Sequence, residues 1–200
     1  MSSSTKYMAM FPLQTFLLPD EDLPLRIFEP RYKQLINECH ETNETFGIPY
    51  VHNNEIKSYG SEVELVEIIS KNSVGEMVIV VKGIANFHLL NFKEKLPNKL
   101  YGGGEVEYVD DKFTTTNPEL VVLVKKLKLE IDPVMGSLIT NNSVNLFSVA
   151  KAIQLNFDDK FSFYSLRDKN KMVNYLIKRL QFLEQIQIQE KKLKNDFSLN

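Results

Sequence analysis

Tryptophan is absent from the 200 residues, and cysteine occurs once, at Cys39. A single cysteine excludes an intramolecular disulfide and a thiolate metal cluster, and it fits a reducing, cytoplasmic setting. No internal repeat and no low-complexity tract is present. No apolar run approaches the length needed to cross a membrane. The opening "KYMAMFPLQTFLL" places a lysine before an apolar run, as an export signal does. Pro12 and Gln14 interrupt that run and no small-x-small cleavage site follows, so residues 9–18 read as a strand.

A large excess of either charge is also missing. The net charge is -2, which argues against a general nucleic-acid binder, because those neutralise phosphates with Lys and Arg. The charge is unevenly spread, with a balance of -6 over residues 1–110 and +4 over residues 111–200. The change of sign suggests two parts with different surfaces. Apolar residues make up 43 % of the chain, and 13 Phe and 8 Tyr supply the aromatic bulk. That is enough to build a core.

The patterning changes at about residues 110–117. Before it, β-rich segments predominate: "LPLRIF", "FGIPYV", "SEVELVEII", "LYGGGEVEYVD", and two runs in "MVIVVKGIANFHLLNF" separated around Gly83. The exception is "EPRYKQLINECHET". Pro30 suits a first helical position, and Tyr32, Leu35, Ile36 and Cys39 share one helical face. After the boundary the period becomes helical. Asn117 and Pro118 mark a helix start, and "ELVVLVKKLKLEI" is apolar enough to be wedged between neighbours. Asp132, Pro133 and Gly136 end it. Ser143 can cap a further helix that buries Val144, Phe147 and Ala150. Asp158 and Asp168 are later caps. Met172, Val173, Leu176, Leu180 and Leu183 form a long stripe, and the tail "EKKLKNDFSLN" loses pattern and is expected to fray.

Motifs for chemistry are scarce. There is no G-x-x-x-x-G-K-[ST] phosphate loop and no Gly-x-Ser-x-Gly elbow. "YGGGEVEYV" is followed by an acid and a strand, so its glycines read as a β-bulge or a close backbone approach. His40, His52 and His88 show no metal-ligand spacing and read as surface or locally bonded groups. Asp110/Asp111 and Asp158/Asp159 sit in turn or cap contexts. Ser137 shows no nucleophile pattern, and Cys39 reads as a small core residue. The lysines of "VKKLKLE" could meet RNA, but acids flank them, and a solvated or docked face is the simpler reading. No catalytic residue, cofactor site or metal site is expected.

The segment "FPLQTFLLPDEDLPLRIFEPRYKQLI" resembles the opening of the Lon N-terminal, or substrate-binding, domain, and is closest to its stand-alone bacterial versions. "FGIPYV", "YGSEVELVEI", "VVKGIANFHLLNF" and "YGGGEVEYVD" follow in the family's order, so nearly the whole chain is covered. Three departures are local, one being the unusual "GGG" at 102–104. "PDEDLP" stands where the family usually has a glycine turn, and Asn86 stands where an arginine often precedes the aromatic.

The resemblance implies an α+β protein: a PUA-like twisted β pseudo-barrel with one helix over residues 1–112, then an α-helical bundle over residues 113–200. In full-length Lon proteases this region helps recognise substrate proteins and precedes an ATPase and a Ser–Lys protease. The sequence given ends before either, so a non-catalytic, cytoplasmic, stand-alone module is expected. Its partners would be exposed or unfolded polypeptide segments, or another protein of proteolysis, held by strand addition or in an apolar groove. Arg26, Phe28, Arg31 and Tyr32 are the candidate groove wall. In "LPLRIFEPRY" itself, a strand-to-helix joint is expected, with Leu25, Ile27 and Tyr32 inward and Arg26, Glu29 and Arg31 pairing either locally or with the opposing half. Two other classes stay open: a PUA-like RNA-binding protein, and a small-molecule enzyme with an unrecognised pocket.

Overall fold

A computed structural model describes residues 4–108, 113–128 and 138–197. The described residues fall into two compact units. The first holds residues 4–108 together with Phe157–Phe161, and the second holds the remainder.

The first unit is a closed barrel with a sheet extension. Its elements are β1 (Ser4–Met10), β2 (Asp22–Ile27), α1 (Pro30–Thr42), β3 (Phe46–His52), β4 (Glu55–Lys71), β5 (Met77–Leu89) and β6 (Gly102–Tyr108). The sheet order is β2-β5-β4-β3-β1-β6, and a further β5–β6 pairing closes a ring of five strands, leaving β2 outside it on β5. Most neighbours are antiparallel, and β1 and β3 run parallel at Met10 and Gly47. The β3–β4 hairpin turns on Asn53 and Asn54, both at positive φ (53° and 61°), as a tight two-residue hairpin requires. Met10, Phe46, Ile48 and Phe87 are fully buried in this unit.

Several features differ from the reading of the sequence. The first strand ends at Met10 rather than running over residues 9–18. Pro12 cannot donate to a ladder, and the chain turns inward instead, burying Phe16, Leu17 and Leu18. Ser61 Oγ bonds both the N–H and the carbonyl of Leu17 at 2.9 Å, and the Asn86 carboxamide donates to the same carbonyl at 2.6 Å. Asn86 is therefore a buried clamp on this crossing. Gly83 does not divide two runs, because β5 is continuous through it. A Cβ there would lie 2.5 Å from the Leu18 carbonyl oxygen, so the glycine admits the crossing chain. Gly102–Gly104 do mark a close backbone approach: added Cβ atoms would sit 2.4 Å from Lys93 O, 2.7 Å from Met8 O and 2.0 Å from Asn91 O.

The second unit contains β7 (Thr114–Thr115), α2 (Pro118–Lys128), β8 (Ile139–Thr140), β9 (Ser143–Asn145), α3 (Leu146–Ala152), the rest of α4 (Phe157–Ser165), and α5 (Lys169–Phe197). Asn117 accepts from Leu120 N at 3.0 Å and so caps α2. Leu120, Val124 and Leu127 of α2 are buried, as are Met172, Leu176 and Leu180 of α5, while Val122 is exposed. Ser143 lies in a small β7-β9-β8 sheet. The cap of α3 is Asn145, whose Oδ1 accepts from Ser148 N at 3.0 Å. Asp168 caps α5, accepting from Lys171 N at 2.8 Å, but Asp158 lies inside the first turn of α4. α5 continues to Phe197 through the segment expected to fray. Asp110, Asp111, Asp132, Pro133, Gly136 and Ser137 lie outside the described residues.

Candidate functional site

β4 and β5 run on past the ring. Beyond the Phe46–Val63 pair β4 has no partner on its β3 side among the described residues, so β2, β5 and the far half of β4 form a three-stranded extension. Its rungs follow from the register. Leu23–Val81–Leu65 and Leu25–Ile79–Ile68 share one face with Ile27 and Met77. That face joins the core cluster containing Tyr32, Leu35, Ile36 and Cys39 of α1. Asp22–Lys82–Glu64, Pro24–Val80–Glu67 and Arg26–Val78–Ser70 make the opposite face, because paired residues share a side and alternate along the strand.

Large apolar residues stand exposed on this extension: Phe28 (57 %), Val66 (52 %), Ile69 (56 %) and Val74 (68 %). Val66 and Ile69 are the extra residues where the β4–β5 register slips. Val74 is held out by an ordered turn. The Asn72 side chain accepts from Val74 N at 3.1 Å and Glu76 N at 2.9 Å, and Lys33 Nζ donates to the Val74 carbonyl at 2.9 Å. Gly75 supplies the positive φ (76°) that the turn needs. Both edges of the extension resist strand addition. β2 carries Pro24, Asp22 and Arg26, and β4 carries two bulges. The exposed apolar side chains are thus better suited than the edges to holding a partner.

The candidate groove residues divide between surface and core. Arg26 is exposed and pairs with Glu76 at 3.4 Å. Phe28 is exposed beside the 72–76 turn, since Ile27 lies opposite Met77. Arg31 pairs with Glu29 at 2.8 Å and lies 4.5 Å over the Tyr32 ring. Tyr32 is 5 % exposed and stacks on Phe11, with centroids 3.6 Å apart. Ile27 is buried and Leu25 packs against the core. The Arg31–Glu29 pair is local, whereas Arg26 reaches Glu76 just before the facing strand β5. Val66 and Ile69 were missed in the sequence, although "ELVEII" holds more apolar residues than one strand face can bury.

Three polar clusters complete this unit. Glu62, almost wholly buried, accepts from Lys6 Nζ at 2.7 Å, Thr45 Oγ1 at 2.5 Å and Tyr108 OH at 2.7 Å. Burial opposes its ionisation, but the bonds from Lys6, Thr45 and Tyr108 outweigh this and hold its carboxyl below the usual range. Glu38 accepts from Lys99 Nζ at 2.7 Å and from the Tyr101 hydroxyl. Lys6, Thr45, Glu38, Lys99 and Tyr101 line a cleft of about 800 Å³. Asp158 accepts from the Tyr50 hydroxyl and lies 2.8 Å from His52 Nδ1.

His88 faces Glu107 at 3.7 Å, and His40 is exposed. Among the described residues no cluster of His, Cys, Asp and Glu could hold a metal ion. Cys39 is buried, and burial, followed by the charges of Glu44 and Glu38, pushes its thiol up to about 11. At that value it is a poor nucleophile. No helix among the described residues is long and apolar enough to cross a membrane.

The family model for the ATP-dependent protease La (LON) substrate-binding domain matches residues 7–192. The chain belongs to that family. Two solved LON domains have the same fold. The crystal structure of a Lon N-terminal domain protein from Xanthomonas campestris matches with a TM-score of 0.62 at 22 % identity, covering 86 % of this chain and 97 % of that one. The N-terminal domain of Mycobacterium avium complex Lon protease matches with a TM-score of 0.62 at 14 % identity, covering 88 % and 98 %. At such identities the likeness speaks for the fold. The comparison with curated proteins found no match. The α+β pseudo-barrel implied by the opening motif is thus the fold of this LON domain, with β2 and α1 as the joint spelled by "LPLRIFEPRY".

Proposed function

We propose that this chain is a non-catalytic recognition module that holds exposed, unfolded polypeptide segments, or a partner in proteolysis, on the apolar surface of the β2–β5–β4 extension. The β part, residues 1–112, does the binding, and the helical part, residues 113–200, is a separate domain. The observation that carries this reading is the set Phe28, Val66, Ile69 and Val74, held exposed on an ordered extension whose edges are protected. Membership of a substrate-binding family supports it. Arg26 and Phe28 stand at the rim of this surface, Arg31 packs over Tyr32, and Tyr32 supports the surface from the core.

Full burial of one such side chain is worth about 1.5–3 kcal/mol. Each is already near half-buried, so about 0.8–1.5 kcal/mol per residue remains, or about 3–6 kcal/mol for the four before the costs of association. The surface therefore suits weak, sequence-tolerant capture, with dissociation constants of tens of micromolar or weaker. An acidic balance of -6 over residues 1–110 disfavours RNA, whose binding needs cations. A peptide array probed with the chain, beside an RNA filter-binding assay across a salt series, tests the reading. Binding to apolar-rich peptides that is insensitive to salt is expected. Binding to RNA alone, or to neither up to millimolar concentrations, refutes it.

A further inference from the structure

Residues Phe157–Phe161 group with the barrel, although they are distant from it in sequence. One helical turn carries the contacting side chains. Phe161 stacks on Tyr50 (centroids 4.7 Å, 28°) and meets Phe16 edge-on (5.8 Å, 83°), with Tyr59 at 6.4 Å. Asp158 takes the Tyr50 hydroxyl and lies 2.8 Å from His52 Nδ1. Lys160 pairs with Glu21 at 2.7 Å, with side chains only 10 % and 12 % exposed. Phe157 packs against the core cluster. Positions i, i+1, i+3 and i+4 of one turn thus insert two aromatic anchors, an acid and a lysine into a matching receptor, which is the helix-in-groove mode of recognition. Of the two ionic contacts, Lys160–Glu21 is desolvated, while His52 and Asp158 stand at the rim, 45 % and 63 % exposed.

We propose that Phe16, Glu21, Tyr50, His52 and Tyr59 form a second polypeptide-binding site, filled in cis by residues 157–161. Its partner is a polypeptide presenting a helical Phe-Asp-x-Lys-Phe turn, which exchanges with the internal one. Exchange rather than opening is the expected behaviour, because removing Lys160 leaves Glu21 without its ionic partner beside a bared aromatic pocket. The site is separate from the apolar extension. Tyr59 and Ile69 lie on opposite halves of β4, about 30 Å apart at the rise of a strand. It does not rest on the function proposed above.

A fluorescein-labelled peptide covering residues 154–164 tests this by anisotropy against the full chain. A tethered segment competes at an effective concentration of roughly millimolar. The double variant Asp158→Ala/Phe161→Ala should therefore bind the peptide about 10-fold more tightly than the wild type. Adding Tyr50→Phe, or an Asp→Asn change in the peptide, should weaken that binding again. A double variant with the wild-type circular dichroism spectrum and no gain in affinity overturns the proposal. Should the double variant not fold, hydrogen exchange on the wild type decides. Faster exchange at residues 157–161 under excess peptide supports the site, and unchanged exchange overturns it. Val66→Asp/Ile69→Asp should leave this binding untouched, which separates its failure from that of the apolar surface.

Discussion

Replacing Glu62 by glutamine keeps the shape of the side chain and removes its charge. In the native barrel the carboxylate accepts from Lys6, Thr45 and Tyr108 within 2.5–2.7 Å. The Lys6 side chain is 45 % exposed, so its ion pair is screened and worth about 0–1 kcal/mol. The two hydroxyl donors reach a buried ion, and such bonds contribute about 1.5–3 kcal/mol each. A carboxamide keeps one neutral acceptor worth about 1 kcal/mol, and it turns an N–H group toward donors. The loss comes to about 2–6 kcal/mol.

The pH dependence has a definite sign. The folded carboxyl titrates below its unfolded value, so its stabilisation is complete above the unfolded pKa and disappears as pH falls through the folded one. The gap between wild type and Glu62→Gln should be full at pH 7 and close below about pH 4.3, the ordinary glutamate value. Urea denaturation followed by tyrosine emission measures it as a midpoint shift at constant slope. A shift below about 0.5 kcal/mol at pH 7 would refute the reasoning, since surface substitutions fall in that range. A gap that widens in acid would refute it equally.

Gly104→Ala sets a Cβ 2.0 Å from the Asn91 carbonyl oxygen, and overpacking against backbone should cost about 3 kcal/mol. Gly75→Ala meets only open space near a lysine, but it keeps a φ of 76°, for a cost of about 1–2 kcal/mol. The ranking of the two by thermal melting is the check. Asp168→Ala removes the cap that accepts from Lys171 N at 2.8 Å and should cost about 1 kcal/mol. Asp168→Asn should restore most of it, as read by denaturation of the full chain.

Local signals in the sequence were read well where one element decides its own structure. Pro30 and the spacing of Tyr32, Leu35, Ile36 and Cys39 placed α1 and its buried face. Asn117 and Asp168 showed as caps. The failures are tertiary. Pro12 ended β1 early because the chain after it is wanted inside the barrel. Gly83 resembled a break because the segment it admits, Leu17–Leu18, lies far away in sequence. Ser143 and Asn145 are both capping residues, and only the pairing of β9 with β7 and β8 selects Asn145.

The candidate site was legible to a similar degree. Arg26 and Phe28 emerged on the surface, while the stack on Phe11 draws Tyr32 into the core. Val66 and Ile69 were hidden because a bulge shifts the alternation by one residue, and a bulge needs its partner strand to be seen. Asp158 reads as a helix cap in the sequence but lies within the first turn of α4, and its contacts with Tyr50 and His52 depend on residues more than a hundred positions earlier.

The decisive measurement is the affinity of an unfolded, apolar-rich polypeptide for the wild-type chain and for Val66→Asp/Ile69→Asp, with both proteins shown to melt alike. Capture on the exposed apolar side chains requires measurable binding by the wild type, tens of micromolar at best, and a loss of about 10-fold or more in the variant. Equal affinity for the two proteins would contradict it.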